Sequence, residues 1–334
     1  MTTRLGLLGA GRIGKVHAKA ISANAGARLV AVADAFPAAA TALADHYGCE
    51  VRSIAAILAA KDIDAVVICT PTDTHADLIE KFARAGKAIF CEKPIDLSLA
   101  RVKACLKVVR DSKAVLMVGF NRRFDPHFSA VRAAIDAGTI GAVEMVTIIS
   151  RDPGAPPYDY ITRSGGIFRD MTIHDFDMAR FMLGEEISAV SAQASVLTDP
   201  NIAKLGDFDS VSVMLTTASG KHCTISNSRR ATYGYDQRVE VHGSLGSVAA
   251  ENQRPVSIEV ATAAGYTRPP LHDFFMTRYT EAYAAEIAAF VAAVAGHGAA
   301  SPSGEDGLAA LALAEAALQS VAEKRTVSMS EVLG

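Results

Sequence analysis

An apolar run beginning at Leu5 leads directly into Gly9-x-Gly11-x-x-Gly14, and a pattern of helical period follows to about residue 25. Few short stretches constrain a chain this tightly. Gly9 allows the tight turn, Gly11 lets the backbone approach a pyrophosphate, and Gly14 lets helix and strand pack closely. The helix N-terminus, at Arg12 and Ile13, offers amide N–H groups and the positive end of its dipole to phosphates. A second strand, residues 28–33, ends in Asp34, 20 residues past Gly14, where an acid can accept hydrogen bonds from ribose hydroxyls. Three glycines alone could form a purely structural turn. Placed after a strand, before a helix and ahead of that acid, they define a dinucleotide-binding unit. Asp34 also bears on the choice of cofactor, because a carboxylate repels a 2′-phosphate. No Arg or Lys follows in Ala35-Phe36-Pro37, so the pattern favours NAD over NADP.

Strand and helix continue to alternate. Strands are expected at 65–69, 88–91 and 115–118, with helices near 75–85 and 99–110, a rhythm that implies a parallel sheet with its ligand at the carboxyl ends of the strands. Polar residues fall at those ends: Thr70, His75, Glu92, Lys93, Asn121 and Arg122. The first five join Gly9, Gly11, Arg12, Ile13, Gly14 and Asp34 as candidate cofactor ligands. In Cys91-Glu92-Lys93-Pro94 the lysine has a second use, since an ammonium can hold an alcohol oxygen and stabilise charge as the proton leaves.

Beyond residue 118 the pattern changes. A helix is expected at 124–137, a strand at 143–150, a Pro-rich loop at 151–160, and then mostly strands from 187 to 250 with Ser-Gly and Gly-Ser turns. Two Ala-rich helices, about 275–294 and 305–323, close the chain. The fold class is α/β: a Rossmann domain, residues 1–121, and a substrate-binding and oligomerisation domain, residues 122–334, built on a large open, mostly antiparallel sheet. The total of 334 residues suffices for two cores, and a net charge of −3 with 21% charged residues gives no basic footprint for nucleic acid. No segment is long and apolar enough for a bilayer, and five scattered cysteines without metal-ligand spacing suit a reduced, cytoplasmic compartment. No metal is expected.

The most reactive pattern lies in residues 164–181, SGGIFRDMTIHDFDMARF. Asp170 and His174 are four residues apart, which on one helix places them about 40° apart around the axis and one turn apart along it. A carboxylate beside an imidazole fixes its tautomer and raises its basicity, as a general base for an alcohol proton requires. A solvated surface pair has the same spacing, so the pair gains weight only from the remainder of the chain.

GAGRIGKVH at 9–17, the Glu92-Lys-Pro turn, GFNRRFD at 119–125 and the Asp170/His174 stretch together resemble the Gfo/Idh/MocA oxidoreductase family, over essentially the whole chain. SRDPGAPPYDYI, SGGIFRDMTIHDFDMARFMLGEE and RRATYGYDQRVEVHGSLG are similar to its inositol-oxidising branch. The resemblance implies NAD as cofactor, a homotetramer assembled through the open sheet, and a Lys93–Pro94 peptide that is often cis. It places the catalytic lysine at Lys93 and the aspartate–histidine pair at Asp170 and His174. Substrate contacts fall on Arg122, Asp177 and the Tyr233-Gly-Tyr235 turn; Asp152 and Tyr158 join them as polar groups suited to a many-hydroxyl substrate. Some inositol dehydrogenases carry a histidine in the loop written here Ser150-Arg151-Asp152-Pro153, which leaves the preferred stereoisomer open. Another inositol isomer, a pyranose sugar, an NAD-dependent glycoside hydrolase and a non-catalytic regulator are the alternatives. The last expects a lost Lys93 or His174, and both are present.

From Asp34 it follows that NAD is used at least about tenfold more efficiently than NADP, roughly 1.4 kcal/mol in transition-state stabilisation. Comparing kcat/KM for the two cofactors checks this, and Asp34→Ala should narrow the gap mainly by weakening NAD.

Overall fold

The computed structural model describes residues 2–334. The chain runs β1 (Thr3–Leu8), α1 (Arg12–Ala23), β2 (Ala27–Ala33), α2 (Pro37–Tyr47), β3 (Glu50–Val51), α3 (Ile54–Ala59), β4 (Ala65–Ile68), α4 (His75–Arg84), β5 (Ala88–Cys91), α5 (Leu99–Asp111) and β6 (Leu116–Val118). These strands make one parallel sheet in the order β3-β2-β1-β4-β5-β6, the doubly wound arrangement. Its central strands read as unbroken apolar runs, Ala65–Ile68 being buried at every position, because helices cover both faces.

The first compact unit comprises the chain up to Phe124 together with Thr280–Leu311. The break therefore falls at Phe124/Asp125, close to the expected boundary at 121/122, but the chain later returns to the first unit. The return has a packing cause. Ile287, Phe290 and Val291 of a later helix share one core with Leu5, Leu7, Val32, Val67 and Phe90, so the Ala-rich segment assigned from sequence to the second domain closes the first.

The second unit spans Asp125–Tyr279 and Ala312–Gly334. It begins with α6 (Pro126–Asp136) and β7 (Val143–Arg151), followed by α7 (Tyr158–Ser164), α8 (Gly166–Asp170), α9 (Thr172–Leu183), β8 (Ile187–Ser195), α10 (Pro200–Lys204) and the strands β9 (Ser210–Thr217), β10 (His222–Ser228), β11 (Asp236–Gly243) and β12 (Gly246–Ala250). A small hairpin, β13 (Val260–Thr262) and β14 (Gly265–Thr267), precedes α11 (Phe275–Arg278). Then α12 (Thr280–Val294) belongs to the first unit, α13 (Gly304–Glu323) is shared between the two, and β15 (Val327–Ser328) and α14 (Met329–Leu333) end the chain. The seven-stranded sheet has the order β12-β11-β7-β10-β9-β8-β15. Only the β7–β10 pair is parallel; the other neighbours are antiparallel, as the alternating pattern predicts. Val146, Ile148, Val213, Leu215 and Ile225 are buried on one face, while Met145, Met214 and Thr224 are exposed on the other.

Asp125 opens this unit by doing two things. Its Oδ1 accepts the backbone N–H groups of His127 and Phe128 at 3.1 and 3.2 Å, capping α6, and its carboxylate pairs with Arg278. Both partners are almost wholly buried. Removing one member of such a pair leaves a buried charge alone, so Asp125→Ala should cost about 3–5 kcal/mol. Denaturant unfolding of the two proteins measures the difference.

Candidate active site

In the first unit the glycine turn is built as the motif requires. Gly9 has φ +99°, and a Cβ there would lie 2.5 Å from the Cys69 carbonyl oxygen. A Cβ on Gly14 would come within 2.0 Å of the Gly9 oxygen, which explains why the helix can lie so near the strand. Around Gly11 an added Cβ meets nothing within 4 Å, so the backbone is open to a ligand at this position. Gly11 caps α1 without a side-chain bond, and the first turn holds no acid, leaving its amides to an anion. Asp34 is anchored beside them, accepting from Ala10 N at 2.6 Å and from Phe36 N at 2.7 Å. These residues fit a dinucleotide. Gly9, Gly11, Arg12, Ile13 and Gly14 would hold its pyrophosphate and Asp34 its ribose.

Further along the same sheet edge, Lys93 is half-buried on a turn whose Lys93–Pro94 peptide is cis, as the resemblance implies. Two histidines grip this turn. His75 Nδ1 lies 2.8 Å from Pro94 O and Nε2 lies 2.7 Å from Thr70 O. Both neighbours only accept, whereas a neutral ring has one N–H. Burial holds the His75 pKa below the usual imidazole value, so the neutral ring serves one carbonyl at a time. On the other flank His17 Nε2 lies 2.6 Å from Glu92 Oε1. The structure thus turns His75 toward the carbonyls of Pro94 and Thr70 and one Glu92 oxygen toward His17, so that both side chains brace the turn. Thr70 Oγ1 bonds Thr74 Oγ1 at 2.6 Å, and Asn121 and Arg122 are buried, the Asn121 Nδ2 having no protein partner among the described residues.

In the second unit the helix expected to carry Asp170 and His174 together is interrupted. Asp170 is the last residue of α8, Met171 breaks the pattern, and His174 stands in the first turn of α9. Gly165 at φ 84° and Gly166 at φ 81° cause an earlier break, between α7 and α8. Asp170 accepts a hydrogen bond from Tyr160 Oη at 2.9 Å and faces Arg229 Nη2 at 3.7 Å. Arg229 is buried and also faces Asp207 at 3.6 Å. Burial pushes the Asp207 carboxyl above its ordinary pKa, while the Ile167 N–H and the Arg229 cation oppose the shift.

One residue that the sequence reading passed over anchors α9 to the sheet. Asp175, wholly buried, accepts from Ser150 Oγ at 2.6 Å and from Asn227 Nδ2 at 2.8 Å, and Thr172 Oγ1 donates to Asn227 Oδ1 at 2.7 Å. The partners lie 25 and 52 residues away in sequence, so no local spacing marks them. Asp177 is buried on the same helix. The remaining substrate candidates fare differently. Tyr158 is exposed and donates to Asp199 at 2.7 Å; Tyr235 is buried with its ring against Phe274 and Tyr279; Asp152 is half-buried with its N–H on Ser228 O. Tyr233 donates to Asp236 at 2.6 Å. Tyr158 and Tyr235 therefore have structural partners in place.

A doubly wound sheet with an open glycine cradle, an anchored acid and a lysine turn defines a nicotinamide-dinucleotide oxidoreductase architecture. Residues 3–120 match the family described as "Oxidoreductase family, NAD-binding Rossmann fold", and residues 128–249 match "GFO/IDH/MocA C-terminal domain". The chain belongs to the Gfo/Idh/MocA oxidoreductase family. It is 77% identical to the inositol 2-dehydrogenase of Rhizobium meliloti (strain 1021), over 99% of this chain and all of that protein. A crystal structure of a myo-inositol dehydrogenase from Corynebacterium glutamicum superposes with TM-score 0.95 at 45% identity, covering 98% of this chain and 99% of that one. The scyllo-inositol dehydrogenase of Lactobacillus casei, solved with bound NAD(H) and scyllo-inositol, gives TM-score 0.92 at 28% identity, covering 99% and 100%.

Arg229 supplies the cation between Asp170 and Asp207. Arg229→Met would leave two largely buried carboxylates without their shared cation, with an expected loss of about 3–5 kcal/mol in unfolding free energy. Denaturant titration checks it.

Proposed function

We propose that this protein oxidises one secondary hydroxyl of an inositol with NAD as hydride acceptor, in the favoured case converting myo-inositol to 2-keto-myo-inositol. The observation that carries this reading is 77% identity over the full length to an inositol 2-dehydrogenase, joined to a glycine cradle and an Asp34 that fit the cofactor. When bound, NAD supplies the hydride acceptor. The chain supplies position, charge and proton transfer. His174 takes the hydroxyl proton, Asp170 orients the imidazole and stabilises its charged form, and Lys93 holds the oxygen as negative charge develops. Arg122 and Asp177 are assigned to the remaining hydroxyls, Asp152 after them. A homotetramer is the proposed assembly, supported by the uncovered sheet face on which Met145 and Met214 are 49% and 48% exposed. The proposed compartment is the cytoplasm, in keeping with five free cysteines.

The direct test is NADH formation by the purified protein across cyclitols and aldoses. Inositols should give the highest kcat/KM; preferred turnover of an aldose, or turnover of glycosides without net NADH, would overturn the reading.

Two variants test the roles. Lys93→Ala should lower kcat by about 100-fold or more while NAD binding, followed by titration, stays largely intact, because the lost interaction strengthens in the transition state. For the base, oxidation should rise with pH as an imidazole whose free pKa is about 6.5 loses its proton. Asp170→Asn removes a charge that favours the imidazolium, so it should slow the reaction and move that limb to lower pH. His174→Ala should abolish the limb; a limb that survives there passes the role of base to Lys93.

A further inference from the structure

Glu286 lies in the middle of α12 with 0% of its surface exposed, and neither carboxylate oxygen finds a hydrogen-bond partner among the described residues. The helix needs no acid here for packing, since Ile287, Phe290 and Val291 supply its apolar contacts. What faces Glu286 is more informative. His17 from α1 and Glu92 from the end of β5 reach the same place, and one donor atom of each of the three residues lies within 4.8 Å of the others. The rings of Phe90 and Tyr283 meet the His17 ring edge-on at 5.0 and 5.6 Å, which keeps the cluster dry.

The protons can be counted. Two carboxylates this close in an apolar setting cannot both be ionised. His17 Nε2 and Glu92 Oε1, 2.6 Å apart, satisfy one another with the hydrogen between them. The second carboxylate needs a proton of its own. Burial first, and then the Glu92 charge, push the Glu286 pKa well above the ordinary carboxyl value. A divalent metal offers different chemistry for the same three donors. Ligands of one first-row ion in a tetrahedral site sit about 3.3 Å apart, whereas His17 Nε2 and Glu92 Oε1 stand at hydrogen-bond distance.

We propose that Glu286 is held as a neutral carboxylic acid, directing its O–H toward the His17–Glu92 pair, and that this cluster is a positioning device for the turn that carries Lys93. Glu92 is bonded directly to Lys93 through the chain, and His75 holds Pro94 on the far side. Fixing Glu92 therefore fixes the backbone from which the ammonium projects. Glu286 and His17 are positioning residues and touch no reacting atom. The inference rests on the role assigned to Lys93.

The experiment compares the NAD-loaded wild-type enzyme with Glu286→Gln and Glu286→Leu, with Lys93→Ala as control. The infrared spectrum of the wild type should contain a buried protonated-carboxyl C=O band that Glu286→Gln removes. Because Gln is neutral, of the same shape and a donor, that variant should keep kcat within about threefold, whereas Glu286→Leu should lose about tenfold or more in kcat with NAD affinity and inositol KM moved less than threefold. Absence of the band would overturn the proposal. So would equal damage in the Gln and Leu variants, full kcat in the Leu variant, or a stoichiometric divalent metal in the purified protein. Full kcat in Lys93→Ala would instead overturn the reading of Lys93, a separable result because the infrared band does not depend on it.

Discussion

Everything in the first unit follows from how near α1 comes to β1. With a Cβ on Gly14 placed 2.0 Å from the Gly9 oxygen, no other residue could stand there without pushing the helix off the strand. That approach aims the helix N-terminus at the carboxyl ends of β1 and β4, where Asp34 is tied to Ala10. It also brings His17, one and a half turns along α1, down against Glu92. The cradle for an anion and the support for the lysine turn are thus two results of one steric permission.

How much of this was legible beforehand depended on distance along the chain. The glycine turn, the acid after β2 and five of the six parallel strands are local patterns in which spacing alone carries the physics, and they were readable; the two-residue edge strand β3 was too short to show. The lysine turn was readable too, as a charged residue at a strand end. The supports were not. His75 resembles a cofactor ligand in sequence because it follows a strand end, yet both its ring nitrogens meet backbone carbonyls. Glu286 resembles a solvated break in an alanine helix, yet it is fully buried. A sequence shows that a polar residue exists; its surroundings are chosen by the tertiary fold.

The second unit shows the same limit at closer range. Four-residue spacing suggested that Asp170 and His174 share a helix, but Met171 separates α8 from α9. The carboxylate accepts from Tyr160 and is faced by Arg229, which approach from α7 and from beyond β10. Asp175, one residue past His174, is the one that fastens α9 to β7 and β10. Its type and neighbours gave no hint, since buried acids are recognised by their donors.

The return of Thr280–Leu311 to the first unit has a consequence for biosynthesis. Domains generally fold as units, the N-terminal one first as the chain leaves the ribosome. Here the N-terminal sheet emerges early, but Ile287, Phe290 and Val291, which cover part of its core, are made only after the entire middle of the second unit. The first part of the enzyme to be synthesised is consequently among the last to be finished, and its apolar face waits uncovered through most of translation.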